Sequence, residues 1–335
     1  MHISALVENP GHVCCRYRLR AFQPFFQHAG HELSLHPLPH GWWQRLKLAE
    51  QLPSRSILIQ RRLLPAWENS RLRHRAESLF FDFDDALWLR DSFSGRALRS
   101  VQRERRFIRQ IRQVSHIIAG NRFLAEHARR YVPSERVRVV PTCVDPARYP
   151  LAPHAEDHLA QLVWIGSAST FQGLERQREL LDLLGRRFPN VSLKIICNRF
   201  PAFRRLRVIA CPWSEQTEAA DLAAADIGIA WMPDDDWSRG KCGLKVLQYM
   251  AAGLPVIANP VGVHIEMIRD GENGLLVSTP AEWVDAVEYL SRHSEVRRRM
   301  GLAGRARVEK DYSVARGAAL WIDILQQAAK SRQAA

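Results

Sequence analysis

Residues 237–262 read WSRGKCGLKVLQYMAAGLPVIANPVG, and the rest of the chain is parsed outward from this stretch. Gly240 and Gly243 bracket a tight loop. Apolar residues then recur at helical spacing from Leu244 to Ala252, Gly253 and Pro255 stop the helix, and Val256, Ile257 and Ala258 read as a short strand. A glycine loop opening a helix leaves the first N–H groups unpaired at the positive end of the helix dipole, which is an anion site. Lys241 and Lys245 add charge there. The chain has six lysines among its 48 basic residues, so two within five positions mark the place. The plain alternative is a solvated loop charge followed by a solvated helix residue.

Short apolar runs alternate with amphipathic stretches on both sides of this segment. Strands are expected at 3–7, 32–35, 56–60, 79–83, 116–120 and 137–140, then at 162–166, 191–197, 206–210, 226–231, 255–259 and 274–277. Helical patterns separate them, near 16–28, 42–51, 65–78, 95–114 and 121–131 in the first half. In the second they fall near 173–187, 214–224, 243–252, 263–269, 280–292 and 294–310. Strand–helix alternation of this kind predicts parallel sheets covered on both faces. Residues 141–153, with three prolines and no apolar period, read as the linker. The expected domains are 1–150 and 159–312, with 313–335 a helix packing back toward the first. Ligands of doubly wound domains bind at the carboxyl ends of the strands.

Several functional classes fall away. The 335 residues are 46% hydrophobic, too apolar for a disordered chain. The opening MHISALVENPGH has no basic region followed by an apolar stretch, so no secretory signal is expected. The longest uncharged run, 246–265, holds Gly253, Pro255 and Pro260 and reads as helix–turn–strand rather than a membrane span. Cys14, Cys15, Cys143, Cys197, Cys211 and Cys242 show no C-x-x-C pair and are expected as reduced thiols. His28, His31, His36 and His40 straddle different elements and do not read as a metal site. After the first strand, Asn9-Pro10-Gly11-His12 lacks the G-x-G-x-x-G of dinucleotide enzymes, and no triphosphate loop is present.

The net charge of +13, with a pI near 10.0, is uneven. Residues 1–150 hold 25 Lys and Arg against 13 Asp and Glu, whereas residues 151–335 hold 23 against 22. Such asymmetry points to an anionic partner for the first half. Residues 96–112 read as an amphipathic helix with Leu98, Val101, Ile108 and Ile111 inside and arginines outside. Trp42 and Trp43, before an amphipathic segment, fit either a membrane interface or the core. A nucleic-acid-binding protein is the alternative from another class, but no helix-turn-helix, finger spacing or RNA-binding aromatic strand supports it.

The run GLKVLQYMAAGLPVIANPVGVHIEMIRDGENGLLV, residues 243–277, resembles the C-terminal domain of GT-B fold glycosyltransferases, specifically the large retaining family 4 (glycosyl transferases group 1). Gly243, Met250, Ala251, Gly253, Pro255, Val256, Gly262, Glu266, Gly271 and Gly274 fall in register with the family wording. Ala225-Asp226-Ile227-Gly228 resembles the strand before the donor loop. Ser115-His116-Ile117-Ile118 with Asn121, and Val139-Val140-Pro141-Thr142-Cys143-Val144-Asp145, are similar to the last N-domain strand and the crossover. Arg16-Tyr17-Arg18 and Phe81-Asp82-Phe83-Asp84-Asp85 resemble a bacterial subgroup with Gly-Lys-Cys-Gly in place of Glu-Gly-Phe-Gly. The family's two glutamates correspond to Gly240 and Gln248. Gln248 retains hydrogen-bonding capacity toward a ribose, and Gly240 offers no side chain. The usual Gly-Arg-x-x-x-Lys-Gly clamp is replaced by Ile165-Gly166-Ser167-Ala168-Ser169-Thr170.

The resemblance implies an α/β GT-B fold, two Rossmann-like doubly wound domains facing across a cleft. It implies transfer of a sugar from a nucleoside-diphosphate sugar, with retention, to an anionic lipid-linked or cell-envelope acceptor. The setting is cytoplasmic, peripheral to the inner face of the membrane. No cofactor, metal or nucleic acid is expected. Donor-side residues are Gly166, Ser167, Thr170, Lys241, Gly243, Leu244, Lys245, Gln248 and Glu266. Acceptor- or membrane-side residues are Gly11, Arg16, Arg18, Arg61, Arg99, Arg103 and Arg106. No catalytic base is assigned, and Asp84, Asp85 and Arg18 are the cleft candidates. Asp82-Phe83-Asp84-Asp85 is open to metal binding, to an acceptor-side or organising role, or to capping and pairing with arginines. Asp234, Asp235 and Asp236 are open to sugar contact or a solvated turn. A sugar-nucleotide epimerase and a non-catalytic relative are the nearest rival functions.

Overall fold

The computed structural model describes all residues except 156–159, 168–169 and 334–335, and for 331–333 the main chain alone. Ala168 and Ser169 of the loop after residue 165 therefore lie outside the described residues. The chain forms two compact units, each around a six-stranded parallel sheet.

In the first unit the strands are β1 (His2–Val7), β2 (Glu32–Pro37), β3 (Ser56–Gln60), β4 (Ser78–Phe83), β5 (His116–Ala119) and β6 (Val137–Val139). Their order is β2-β1-β3-β4-β5-β6, all parallel. Period-two alternation sends Ile57, Ile59, Phe81 and Phe83 to one face and Leu58 and Phe80 to the other. Both faces are covered, which is why the strands read as nearly continuous apolar runs. The C-terminal helix Val314–Gln333 belongs to this unit and packs Val314, Ala318, Trp321 and Leu325 against Phe22, Phe26 and the sheet.

The second unit contains β7 (Gln161–Ile165), β8 (Ser192–Cys197), β9 (Arg207–Pro212), β10 (Ile227–Ala230), β11 (Val256–Ala258) and β12 (Gly274–Leu276). Their order is β12-β11-β10-β7-β8-β9. All twelve expected strands form, with end shifts of one or two residues. All six cysteines are free.

The pattern at 173–187 splits into Phe171–Arg176 and Arg178–Arg187, the one at 214–224 shortens to Glu218–Ala223, and four further differences from expectation stand out. The pattern at 16–28 splits into Val13–Arg18 and Gln23–His28 around a 3-10 turn, because Pro24 can open a helix but not continue one. The helix expected over 95–114 is Val101–Gln113, capped by Ser100. Leu98 precedes it, Val101 is exposed, and the buried face is Phe107, Gln110 and Ile111. The segment before the helix is tied down by the Arg90 guanidinium, which donates to the carbonyls of Ala97 and Arg99. The helix from Ser294 ends at Arg307 in a π-turn, Val308–Tyr312.

The fourth difference bears on function. Division between the units falls at Cys143–Val144, and residues 235–242, which in sequence lie within the second unit, pack with the first. They include a short helix, Asp236–Arg239, that the periodicity did not reveal.

Candidate functional site

In the second unit, β7, β10 and β11 end side by side. Tyr249 ties two of those ends together: its hydroxyl accepts from the Ile165 N–H at 3.0 Å and donates to the Ile229 carbonyl at 3.2 Å. Gly228 makes room for the ring, since a Cβ there would sit 2.4 Å from Tyr249 Cγ. Asn259 bridges the ends of β10 and β11 by donating to Met232 O at 2.6 Å and accepting from Met232 N at 3.0 Å.

Helix Leu244–Ala251 starts from Gly243, whose φ of 64° and ψ of 26° lie in the left-handed region. Glycine is required there twice over, because a Cβ would also meet Met267 Sδ at 2.8 Å and Val263 Cγ2 at 2.9 Å. The sharp entry aims the first helical N–H groups out of the end of the helix, and none has a side-chain cap from Gly243. Lys245, on the first turn, holds its ammonium 4.3 Å from the centre of the Trp164 ring. His264 lies close enough that burial first, and the Lys245 charge with it, push its imidazole down to about 4, and its Nδ1 is 2.9 Å from Asn259 O. A neutral buried histidine beside the lysine leaves that ammonium as the cation of the helix start.

The remaining donor-side residues are placed as follows. Gly166 is crowded by the Trp164 ring and Thr170 Oγ1. The Thr170 hydroxyl accepts from Ser167 N and donates to Ser167 O, both at 3.1 Å, so it closes its own turn. Gln248 is buried and donates to the Tyr149 hydroxyl at 3.3 Å. The Glu266 side chain is exposed, and its carbonyl accepts from Arg307 at 2.9 Å.

Lys241 belongs to the first unit, where its ammonium is 2.7 Å from Asp85 Oδ1 and 3.6 Å from the centre of the Trp237 ring. Asp85 is the outer member of a charge ladder at the carboxyl end of β4. At its inner end the fully buried Arg18 donates through Nε to Asp82 at 2.9 Å and through Nη1 to Val140 O at 3.0 Å. Arg61, in a left-handed conformation with φ of 56°, reaches both Asp84 (3.3 Å) and Asp85 and also contacts Cys14 Sγ. Burial acts to raise Asp84, but Arg61, Arg18, Cys14 and Lys241 outweigh it and hold the carboxyl below the usual range. Burial pushes the Cys14 and Cys242 thiols far up, so neither is a ready nucleophile.

Of the readings open for Asp82, Asp84 and Asp85, pairing with cations is the one the geometry realises. Among the described residues, no group of three or more His, Cys, Asp or Glu is placed to hold a metal ion. Asp235 caps the short helix by accepting from Ser238 N at 2.9 Å, and Asp236 pairs with Arg239 at 3.2 Å.

Residues 235–242 are held against the first sheet by Asn121. Its Nδ2 donates to Arg239 O (3.1 Å) and Lys241 O (2.9 Å), while Oδ1 caps helix Arg122–Arg129 at Leu124 N (2.8 Å). Gly240 faces Ala86 so closely that a Cβ would lie 2.7 Å from Ala86 Cβ. Position 240 therefore has no room for a side chain in this backbone.

The residues expected on an anionic surface divide. Arg16 and Arg18 are buried and Arg61 is partly buried in the ladder, so of the acceptor or membrane side expected for them, an exposed membrane-facing position does not apply. Arg103 donates to Leu89 O at 3.0 Å, Arg99 lies ahead of the helix, and Arg106 is exposed on it. Gly11 is exposed, in a turn closed by Asn9.

Comparison with solved structures decides the architecture. Sucrose-phosphate synthase of Thermosynechococcus elongatus superposes with a TM-score of 0.73 at 16% identity, covering 98% of this chain and 99% of that one. Anabaena HepE, solved in complex with UDP and glucose, gives 0.64 at 16% identity over 98% and 100%. The fold is GT-B. Within this GT-B chain, residues 176–323 match the family model described as glycosyl transferase-like. Among curated proteins, trehalose synthase of Pyrococcus horikoshii is 40% identical over 83 residues, 25% of this chain and 20% of that protein. The chain spans about a fifth of the length of the curated relatives it matches.

Sequence reasoning named Gly243 and Lys245 but missed Trp164, His264, Asn259 and Tyr249, and it placed Asn121 only through the resemblance. An Asn four residues after the helix stop and a His two after Gly262 were the available signals. Neither has a spacing that distinguishes a site from a core.

Proposed function

We propose that the protein is a glycosyltransferase that takes a nucleoside-diphosphate sugar, binds its diphosphate at the start of helix Leu244–Ala251, and transfers the sugar with retention. The observation that carries this reading is the left-handed Gly243 opening the helix beside Lys245. As the anomeric bond breaks, charge accumulates on the leaving diphosphate. Backbone amides at 243–245 and the lysine ammonium, fixed in advance, stabilise that charge where it develops. Gly166, Ser167, Thr170, Leu244, Gln248 and Glu266 line the donor, with Gln248 turning from Tyr149 to a ribose hydroxyl. The match to a glycosyl transferase-like model and the UDP and glucose bound by HepE support the donor class.

The acceptor side is the first unit, whose cationic excess suits an anionic saccharide or lipid-linked acceptor at the inner face of a membrane. No metal enters this reading, because each carboxylate of Asp82, Asp84 and Asp85 already faces an arginine or lysine. The test is a titration calorimetry and thermal-shift screen with UDP-, GDP-, ADP-, dTDP- and CMP-sugars, followed by a product assay with and without EDTA. Binding of one nucleotide-sugar and EDTA-resistant release of its nucleoside diphosphate are expected. A screen in which no nucleotide-sugar raises Tm refutes the function, and loss of turnover with EDTA refutes the metal-free reading.

A further inference from the structure

Ten tryptophans are present, and four are packed away: Trp88, Trp164, Trp283 and Trp321 are each 5% exposed or less. Trp42 and Trp43 are 55% and 63% exposed, and Trp67 is 43% exposed. Helices Trp42–Gln51 and Ala66–Arg75 run side by side in the same direction, because Arg45 pairs with Glu68 (3.3 Å), Glu50 with Arg71, and Leu52 O with Arg75 (2.6 Å). In that register the first turns of the two helices adjoin, so all three indoles stand at one end of the helix pair. That end follows the carboxyl ends of β2 and β3, the same end of the sheet as the Asp82–Asp85 ladder.

We propose that this end of the helix pair is the surface by which the first unit docks on an anionic lipid bilayer. Exposed indoles are costly in water and favoured at a membrane interface, where an apolar ring and a polar N–H are both accommodated. Trp42 and Trp43 stack on each other, centroids 3.9 Å apart, and so form a projecting double ring with its outer faces in solvent. Charge selects the occupant. The two helices contain five Lys and Arg (Arg45, Lys47, Arg71, Arg73 and Arg75) and two acidic residues. Both acidic side chains are engaged within the helix pair, Glu50 by Arg71 and Glu68 by Arg45. The surplus, exposed Lys47 one turn beyond Trp43 with exposed Arg73 farther along in the last turn of the second helix, matches anionic headgroups. A platform for a neutral saccharide would gain nothing from that surplus. The inference rests on the membrane-borne acceptor proposed above for its purpose, but it is readable without any turnover.

The experiment is vesicle flotation of the full chain with phosphatidylcholine alone and with about 30% phosphatidylglycerol, at low and high salt. Wild type should float with the anionic vesicles and be released by salt. Trp42→Ser/Trp43→Ser/Trp67→Ser should weaken partitioning by about tenfold or more, and Lys47→Glu/Arg73→Glu should remove the preference for anionic lipid. Both variants should keep the wild-type Tm and donor affinity. Three results overturn the proposal: wild type that does not float, a triple serine variant that floats within twofold of wild type, or a wild-type dimer in sedimentation that the serine variant abolishes. Donor binding separates the two readings. Flotation with no nucleotide-sugar binding leaves the surface standing and the proposed function refuted, and the reverse result refutes the surface alone.

Discussion

Replacing Gly240 by alanine tests whether the 235–242 segment is packed as closely as described. The added Cβ would lie 2.7 Å from Ala86 Cβ, 2.9 Å from Ala86 N and 3.2 Å from Trp237 O. Carbon pairs rest near 3.5–4.0 Å, so either the segment or β4's extension must shift by about 1 Å. Overpacking of this kind costs about 1–3 kcal/mol. The backbone opposes that cost: φ of −74° and ψ of −9° suit alanine, and a glycine-to-alanine change at such a position gains about 0.4–1 kcal/mol from the unfolded state. Contact outweighs entropy, and a net loss of about 1–2 kcal/mol is expected, lowering Tm by about 2–8 °C for a domain of this size. Equilibrium urea unfolding, read as the midpoint at constant m, is the assay. Gly11→Ala is the control: its backbone is not left-handed and an added Cβ would meet only Asn9 Oδ1, at 3.4 Å, so it should be neutral or slightly stabilising. Ala86→Gly combined with Gly240→Ala should recover part of the loss. Gly240→Ala equal to wild type or more stable would show that the contact is not there. Gly240→Glu, a larger side chain at the same contact, should lose more stability than Gly240→Ala.

Lys245→Ala should weaken nucleotide-sugar binding by about tenfold or more, as expected for a lost charge-assisted contact of about 1.5–3 kcal/mol, while Tm moves little; unchanged affinity in calorimetry counts against the phosphate assignment. Arg18→Ala, which strands Asp82 in the core, should cost about 3–5 kcal/mol in urea unfolding, and Arg18→Met/Asp82→Leu should recover most of it. His264 is depressed from 6.5 to about 4, so its contribution is whole above pH 6.5 and lost as pH falls through about 4, roughly 3 kcal/mol in all. Unfolding midpoints at pH 7 and pH 4 should therefore converge more in His264→Asn than in wild type; an equal pH dependence in both would place the imidazole in water. Asn121→Asp keeps the helix cap but loses both donors to the Arg239 and Lys241 carbonyls, and hydrogen exchange should rise over 235–242 while helix Arg122–Arg129 stays protected.

Local rules account for most of what was legible. Twelve strands were found because each is an apolar run bounded by polar or glycine positions, and a buried parallel strand needs nothing else. Helix starts at Gly243 and Pro280 were legible from their punctuation. The helix placed at 95–114 was overextended because arginine spacing continues through a segment that Arg90 holds by its carbonyls, an interaction with no local signature. That Arg16 and Arg18 are buried has no local signature, because burial of an arginine is the exception, and only a carboxylate 64 positions away makes it tolerable for Arg18.

By itself the sequence determined the two parallel sheets, the glycine-opened helix with its lysine, and the uneven charge. Each follows from neighbours within a few residues or from a sum over the chain. Tertiary structure alone decided the partners. Lys241 and Lys245 are four residues apart, yet one pairs with Asp85 in the first unit while the other lies over Trp164 in the second. The same holds for the cations of the first half, of which Arg18 and Arg61 are turned inward onto Asp82, Asp84 and Asp85. A residue's type sets what it can bond, but which group lies within 3 Å depends on chain segments that meet only after folding.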